Sequence, residues 1–140
     1  MPRDDRFNRG VTREPTAPQQ SSPRTAALAF AADVAWIVIL VVIGLCNHAE
    51  GITLAGVGKT AWPFLAGLTA SWLLYRAWRA STIVWPTGIT IWLNTAAIGI
   101  GLRAGTGAGI TLSFVAVAIV FTGVSLLGWR AAVTALGRRW

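Results

Sequence analysis

Residues 26–46 read AALAFAADVAWIVILVVIGLC, and the one charged side chain among them is Asp33. At 1.5 Å of rise per helical residue, a run of this length covers about 30 Å, the thickness of a bilayer's hydrocarbon core. The run has no alternation of apolar and polar residues, which argues for a helix rather than a barrel strand. A secretory signal is the competing reading. Against it, the apolar run is too long, a long polar stretch precedes it, and no A-x-A-like site closes it. The segment is therefore read as a retained membrane-spanning helix.

Three further apolar runs follow, at about 61–78, 86–102 and 109–129, the third run of the chain being the shortest. Pro63 and Pro86 fall where first helical turns are expected, positions at which the missing N–H costs nothing. The expected fold is all-α: a four-transmembrane-helix bundle over residues 26–132, a disordered cytoplasmic tail over 1–25 and a short basic tail over 133–140. Composition agrees. The chain is 54% hydrophobic and 12% charged, about half the charged share of an ordinary soluble domain.

Charge sets the orientation. Arg3, Arg6, Arg9, Arg13 and Arg24 precede the first run, Arg76 and Arg79 follow the second, and Arg130, Arg138 and Arg139 follow the fourth. Only Lys59 and Arg103 fall in the other two connections. Under the positive-inside rule both termini are cytoplasmic. The net charge of +7 is explained by this topology, so no nucleic-acid partner is expected. The lipid bilayer is the expected partner, with a larger membrane complex or a second copy of the chain as further possibilities.

The counts limit the chemistry. One cysteine, Cys46, forms no disulfide within the chain. With one histidine, His48, a zinc site of four His and Cys ligands cannot be assembled. No nucleotide loop or catalytic triad is present, and no cofactor or metal is expected.

Asp33 lies seven residues past the start of its run, roughly 10 Å into the inner leaflet, where a charge costs about 2.5–3.5 kcal/mol. It needs a partner. Arg76, at similar depth near the inner end of the second run, is the first candidate, and Arg130 the second. Such a group is either a structural ion pair fixing helix register, the favoured reading, or an ion or proton relay. Asp33 shares a stripe with Trp36, Ile37, Leu40, Gly44 and His48, and this face is expected to point into the bundle. At the outer mouth His48, Glu50 and Arg103 form a second polar group, read as loop polarity ahead of an acid–base or metal site. Ser71, Asn94, Thr95 and Thr122 are expected to serve close helix packing, with a polar pathway as the weaker reading. Trp36, Trp72 and Trp92 lie within runs and need N–H acceptors, for which Asp33, Ser71 and Asn94 are available.

His48-Ala49-Glu50-Gly51, Thr60-Ala61-Trp62-Pro63-Phe64 with Gly67 and Trp72, Trp92-Leu93-Asn94-Thr95 with Gly99 and Arg103, and Gly128-Trp129-Arg130 together resemble a small bacterial membrane family. It occurs largely in high-GC Gram-positive bacteria and is catalogued as domain of unknown function 3054. The resemblance covers roughly residues 24–132. It implies an integral plasma-membrane protein, fits Asp33 and Arg76, and assigns no activity and no catalytic residue.

Three functions are open to such a chain. The first is a non-enzymatic accessory or scaffold component of a membrane assembly. The second is a small transporter or channel acting as a dimer, with Asp33 and Arg76 as its polar pair. The third is a lipid- or quinone-linked enzyme using His48 and Glu50. The first is preferred, because most of the surface would face lipid.

Overall fold

The computed structural model describes residues 20–46 and 52–137. The expectations for residues 1–19 and for the group His48 and Glu50 lie outside the described residues, as do Arg138 and Arg139. Within the described residues the protein is all-helical, without strands: α1 Pro23–Cys46, α2 Leu54–Leu74, α3 Ile89–Gly105 and α4 Leu112–Gly137. Of these, α1 and α4 are long and apolar enough to cross a membrane.

Local chemistry places the ends. Ser22 opens α1, its Oγ accepting the N–H of Thr25 at 3.1 Å and its carbonyl that of Ala26 at 2.9 Å. Pro23 follows at the first helical position, where its fixed φ is already suitable. The helix thus starts three residues before position 26. The larger correction concerns α2, which begins at Leu54 rather than near residue 61. Thr53 supplies its cap, accepting from the Gly56 N–H at 3.0 Å. A cap of this kind stabilises a helix by about 1 kcal/mol, comparable to the cost of one helical glycine. Gly56, Gly58 and Lys59 are therefore helical, and Pro63 lies inside α2 instead of in its first turn.

After α2 the chain reverses through Arg76, whose φ of 48° is left-handed, and a single 3-10 turn at residues 77–79. Trp85 keeps an extended backbone (φ −116°, ψ 129°), as the residue before a proline tends to. Pro86 accordingly precedes α3. Between α3 and α4, Gly107 (φ 71°) and Gly109 (φ 67°) make the reversal in a conformation that other residues reach only with strain. Thr111 then caps α4, accepting the Phe114 N–H at 3.2 Å. The fourth helix continues eight residues beyond the expected end at 129, taking in residues 133–137 of the expected tail.

The most extensive helix contact is between α2 and α3. A β-carbon added to Gly67 would stand 2.9 Å from the Thr95 carbonyl oxygen, so the two backbones meet there almost without side chains between them. Phe64, Leu68, Trp72, Ile91 and Leu126 build the core against Ala26, Ala29 and Ile37 of α1. The buried strip of α1 is Ala26, Ala29, Asp33, Ile37 and Val41. This corrects the expected stripe: Trp36 is 39% exposed and Gly44 is exposed. The neighbours cover a strip following the i+3 and i+4 ladder from Ala26, and Trp36 falls beside it.

Candidate functional site

Asp33 is the only acid among the described residues, and it is completely buried. Ten residues past Pro23, it faces α2 and α4. Its partner is Arg130, also fully buried, in a two-pronged ion pair. Arg130 Nη1 donates to Asp33 Oδ1 and Nη2 to Oδ2, each at 2.7 Å. Two tryptophans complete the shell. Trp72 Nε1 of α2 donates to Oδ2 at 3.0 Å, and Trp129 Nε1 of α4 donates to Oδ1 at 2.8 Å. An ionised carboxylate offers about four lone-pair sites, and these four bonds occupy them.

Arg130 is held as completely. Its Nε donates to the Ser81 carbonyl at 3.0 Å, and Nη1 also donates to the Leu126 carbonyl one turn back at 2.7 Å. Its guanidinium carbon lies 4.6 Å from the Trp129 ring centre. Its Cδ would be 3.1 Å from a β-carbon at Gly88, just before α3. The node therefore joins α1, α2 and α4 directly and reaches the connection between α2 and α3 through Ser81. That connection is also tied to the start of α1: the Ser21 N–H donates to the Arg79 carbonyl and the Ser81 N–H to Ser21 Oγ. Planar, bidentate pairing is the geometry for which a guanidinium is suited and an ammonium is not.

Arg76, the first candidate for Asp33, is not its partner. The left-handed residue terminates α2 and leaves the Arg76 side chain exposed, 5.8 Å from the Trp78 ring centre. Trp129, which the sequence offers only as part of Gly128-Trp129-Arg130, and Ser81, which carries no sequence signal, both belong to the node. The adjacency of Trp129 to Arg130 was the available signal for the first. Nothing in the sequence pointed to a backbone carbonyl in a turn.

The remaining polar residues do not converge on the node. Ser71 donates to the Gly67 carbonyl at 2.7 Å, Asn94 to that of Thr90 at 2.9 Å, and Thr122 to that of Ala118. These are bonds within single helices. Thr95 Oγ1 is buried without a hydrogen-bond partner. Trp92 donates to the Ile119 carbonyl at 2.9 Å rather than to Asn94, joining α3 to α4. Arg103, in the last turn of α3, lies at the opposite end of the bundle from Arg130, with its guanidinium 4.5 Å from the Phe114 ring centre. His48 and Glu50, expected beside it, lie outside the described residues. Among the described residues no group of three or more His, Cys, Asp or Glu is placed to hold a metal ion.

A family model described as "Protein of unknown function (DUF3054)" matches residues 30–133 of the chain. No curated protein and no solved structure matches it. The matched region contains the whole node, from Asp33 through Trp72 and Ser81 to Trp129 and Arg130.

Proposed function

The chain belongs to the DUF3054 family, and on that premise we propose that it is a four-span protein of the bacterial plasma membrane, with both termini cytoplasmic. Its role in this reading is that of a non-enzymatic accessory or scaffold component of a larger membrane assembly. The observation that carries the proposal is the contrast between a closed polar node and open apolar faces. In the most apolar windows of α1 and α4, only 22% and 17% of residues are buried inside the protein. A core helix of a soluble domain would be covered on most sides. Here Ile39, Ile43, Val117, Val120 and Val124 face outward, an arrangement suited to lipid and to neighbouring helices. Leu73, Leu74 and Leu93 extend the same character to α2 and α3.

Two features of the shorter helices fit the same reading. At 17 residues, α3 is about 25 Å long, somewhat less than the hydrocarbon core. Arg103 in its last turn sets a cation at that end of the helix, its guanidinium over the Phe114 ring. Lys59, near the start of α2, lies at the same end. Arg24, Arg76, Arg79 and Arg130 lie at the other, which the positive-inside rule assigns to the cytoplasm.

A transport gate would require Asp33 to exchange its partners, and its four hydrogen bonds leave no acceptor site open for a passing ion. A scaffold role requires the opposite, a bundle held in one geometry. Extraction of the tagged protein from native membranes in a mild detergent, followed by native electrophoresis, tests the role. The chain is expected to migrate within a larger assembly that contains a second polypeptide at fixed stoichiometry. Recovery as an isolated monomer in every mild detergent would refute it.

A further inference from the structure

Beyond the node, the other halves of α1 and α4 leave between them a groove of about 670 Å³, half open to the surface. Its walls are Ile37, Leu40 and Val41 from α1 with Ala118 and Phe121 from α4, and Phe64 of α2 closes its back. Polar groups gather at one end: Thr60, Arg103, Thr111 and Ser113. Between Ser113 and Phe121 the helical rise gives a depth of about 12 Å. The groove is thus a slot with a cation at its mouth and hydrocarbon along its length. At the deep end the Thr122 hydroxyl donates its proton to the Ala118 carbonyl.

A groove of this size, lined mostly by apolar side chains, is the kind of exposed apolar surface that marks a binding site. The chemistry at the mouth selects the occupant further. Arg103 Nε is buried and, among the described residues, has no hydrogen-bond partner. The guanidinium is braced against Phe114, and no described acid stands at this end of the bundle. An unpaired donor fork of this type matches a phosphate oxygen pair.

We propose that the slot between α1 and α4 binds one anionic phospholipid. An acyl chain lies along Ile37, Val41 and Phe121, and the headgroup phosphate accepts hydrogen bonds from Arg103. The assignment rests on the membrane reading above and extends it to a specific lipid site on the leaflet opposite the Asp33–Arg130 node. It gives the α1–α4 seam an occupant that completes its packing, so the lipid acts as a structural ligand of the bundle.

Native mass spectrometry of the full chain released from detergent reads this directly, with phosphatidylglycerol and phosphatidylcholine as probes. The wild type is expected to retain one phosphatidylglycerol in preference to phosphatidylcholine. Arg103→Gln removes a charged hydrogen-bond donor and is expected to weaken phosphatidylglycerol retention about tenfold, abolishing the preference. Gly44 lines the open slot on the α1 side, and because an added β-carbon there meets nothing within 4 Å, Gly44→Leu is expected to be accommodated and to occupy the slot. This variant is expected to lose both lipids while keeping its thermal stability in detergent. Equal retention of the two lipids, unchanged by either variant, would overturn the site. Displacement of the lipid by inorganic phosphate would overturn the acyl-chain assignment. A folded protein that needs detergent but holds no lipid refutes this site alone. A chain that stays in the supernatant without detergent refutes the membrane reading beneath it.

Discussion

Arg130→Met is expected to destabilise the bundle by about 3–5 kcal/mol, the usual cost of leaving a buried charge without its partner. The substitution keeps most of the side-chain volume but strands Asp33, whose two oxygens then have only the Trp72 and Trp129 N–H groups. The Ser81 and Leu126 carbonyls also lose a donor. Asp33→Asn is expected to cost a similar amount for the converse reason, since it leaves the guanidinium charge buried. The double variant, Asp33→Asn with Arg130→Met, removes both charges and keeps an amide oxygen for one tryptophan. Its loss should fall well below the sum of the two single losses, because contacting residues in one ionic network couple by about 0.5–3 kcal/mol. Thermal unfolding of the three variants in one detergent, followed by circular dichroism, measures the cycle. Additive losses, or single variants as stable as the wild type, would mean that the node does not hold α1, α2 and α4 together.

Gly67→Ala and Gly101→Ala are expected to change stability in opposite directions, although both exchange one glycine for alanine within a helix. At Gly67 the new methyl would stand 2.9 Å from the Thr95 carbonyl oxygen and 3.3 Å from the Gly99 nitrogen. These are backbone atoms of α3 and cannot rotate away, so α2 and α3 must separate along their main contact. Overpacking of this kind typically costs about 1–3 kcal/mol, and Gly67→Val should cost more. At Gly101 an added β-carbon meets nothing within 4 Å, and alanine's better helix propensity is worth up to about 1 kcal/mol. Midpoints of thermal unfolding give both signs in one experiment. A neutral Gly67→Val would show that the close approach of α2 and α3 is not required for the fold.

The sequence revealed the helical class because each run was long, apolar and free of alternation. It was less informative about helix ends. At α2 the glycines and Lys59 made residues 54–60 resemble a loop, and the decisive feature was one threonine hydroxyl, Thr53, bonding three residues ahead. The need for a partner at Asp33 followed from the cost of an isolated charge in an apolar run. Which arginine met it did not, because depth along a helix says nothing about rotation around it. Arg76 and Arg130 were both near the correct level, and a left-handed residue at the end of α2 turned the first away. Trp72 as a donor to Asp33 was among the readings available from the sequence. Trp129 was not, since a tryptophan near a helix end is equally well explained as an interface anchor. The lipid slot had no sequence signature beyond Arg103, because its walls come from ordinary apolar residues that α1 and α4 leave uncovered.

The central claim is that this bundle lies in a bilayer with the Arg130 end toward the cytoplasm. Two single-cysteine proteins on a Cys46→Ser background test it, Thr106→Cys in the α3–α4 reversal and Gly137→Cys at the end of α4. Both sites are exposed. A membrane-impermeant maleimide applied to intact cells is expected to label Thr106→Cys at once and Gly137→Cys only after the membrane is opened. Labelling of Gly137→Cys from outside intact cells, or recovery of either protein in the soluble fraction without detergent, would contradict the account.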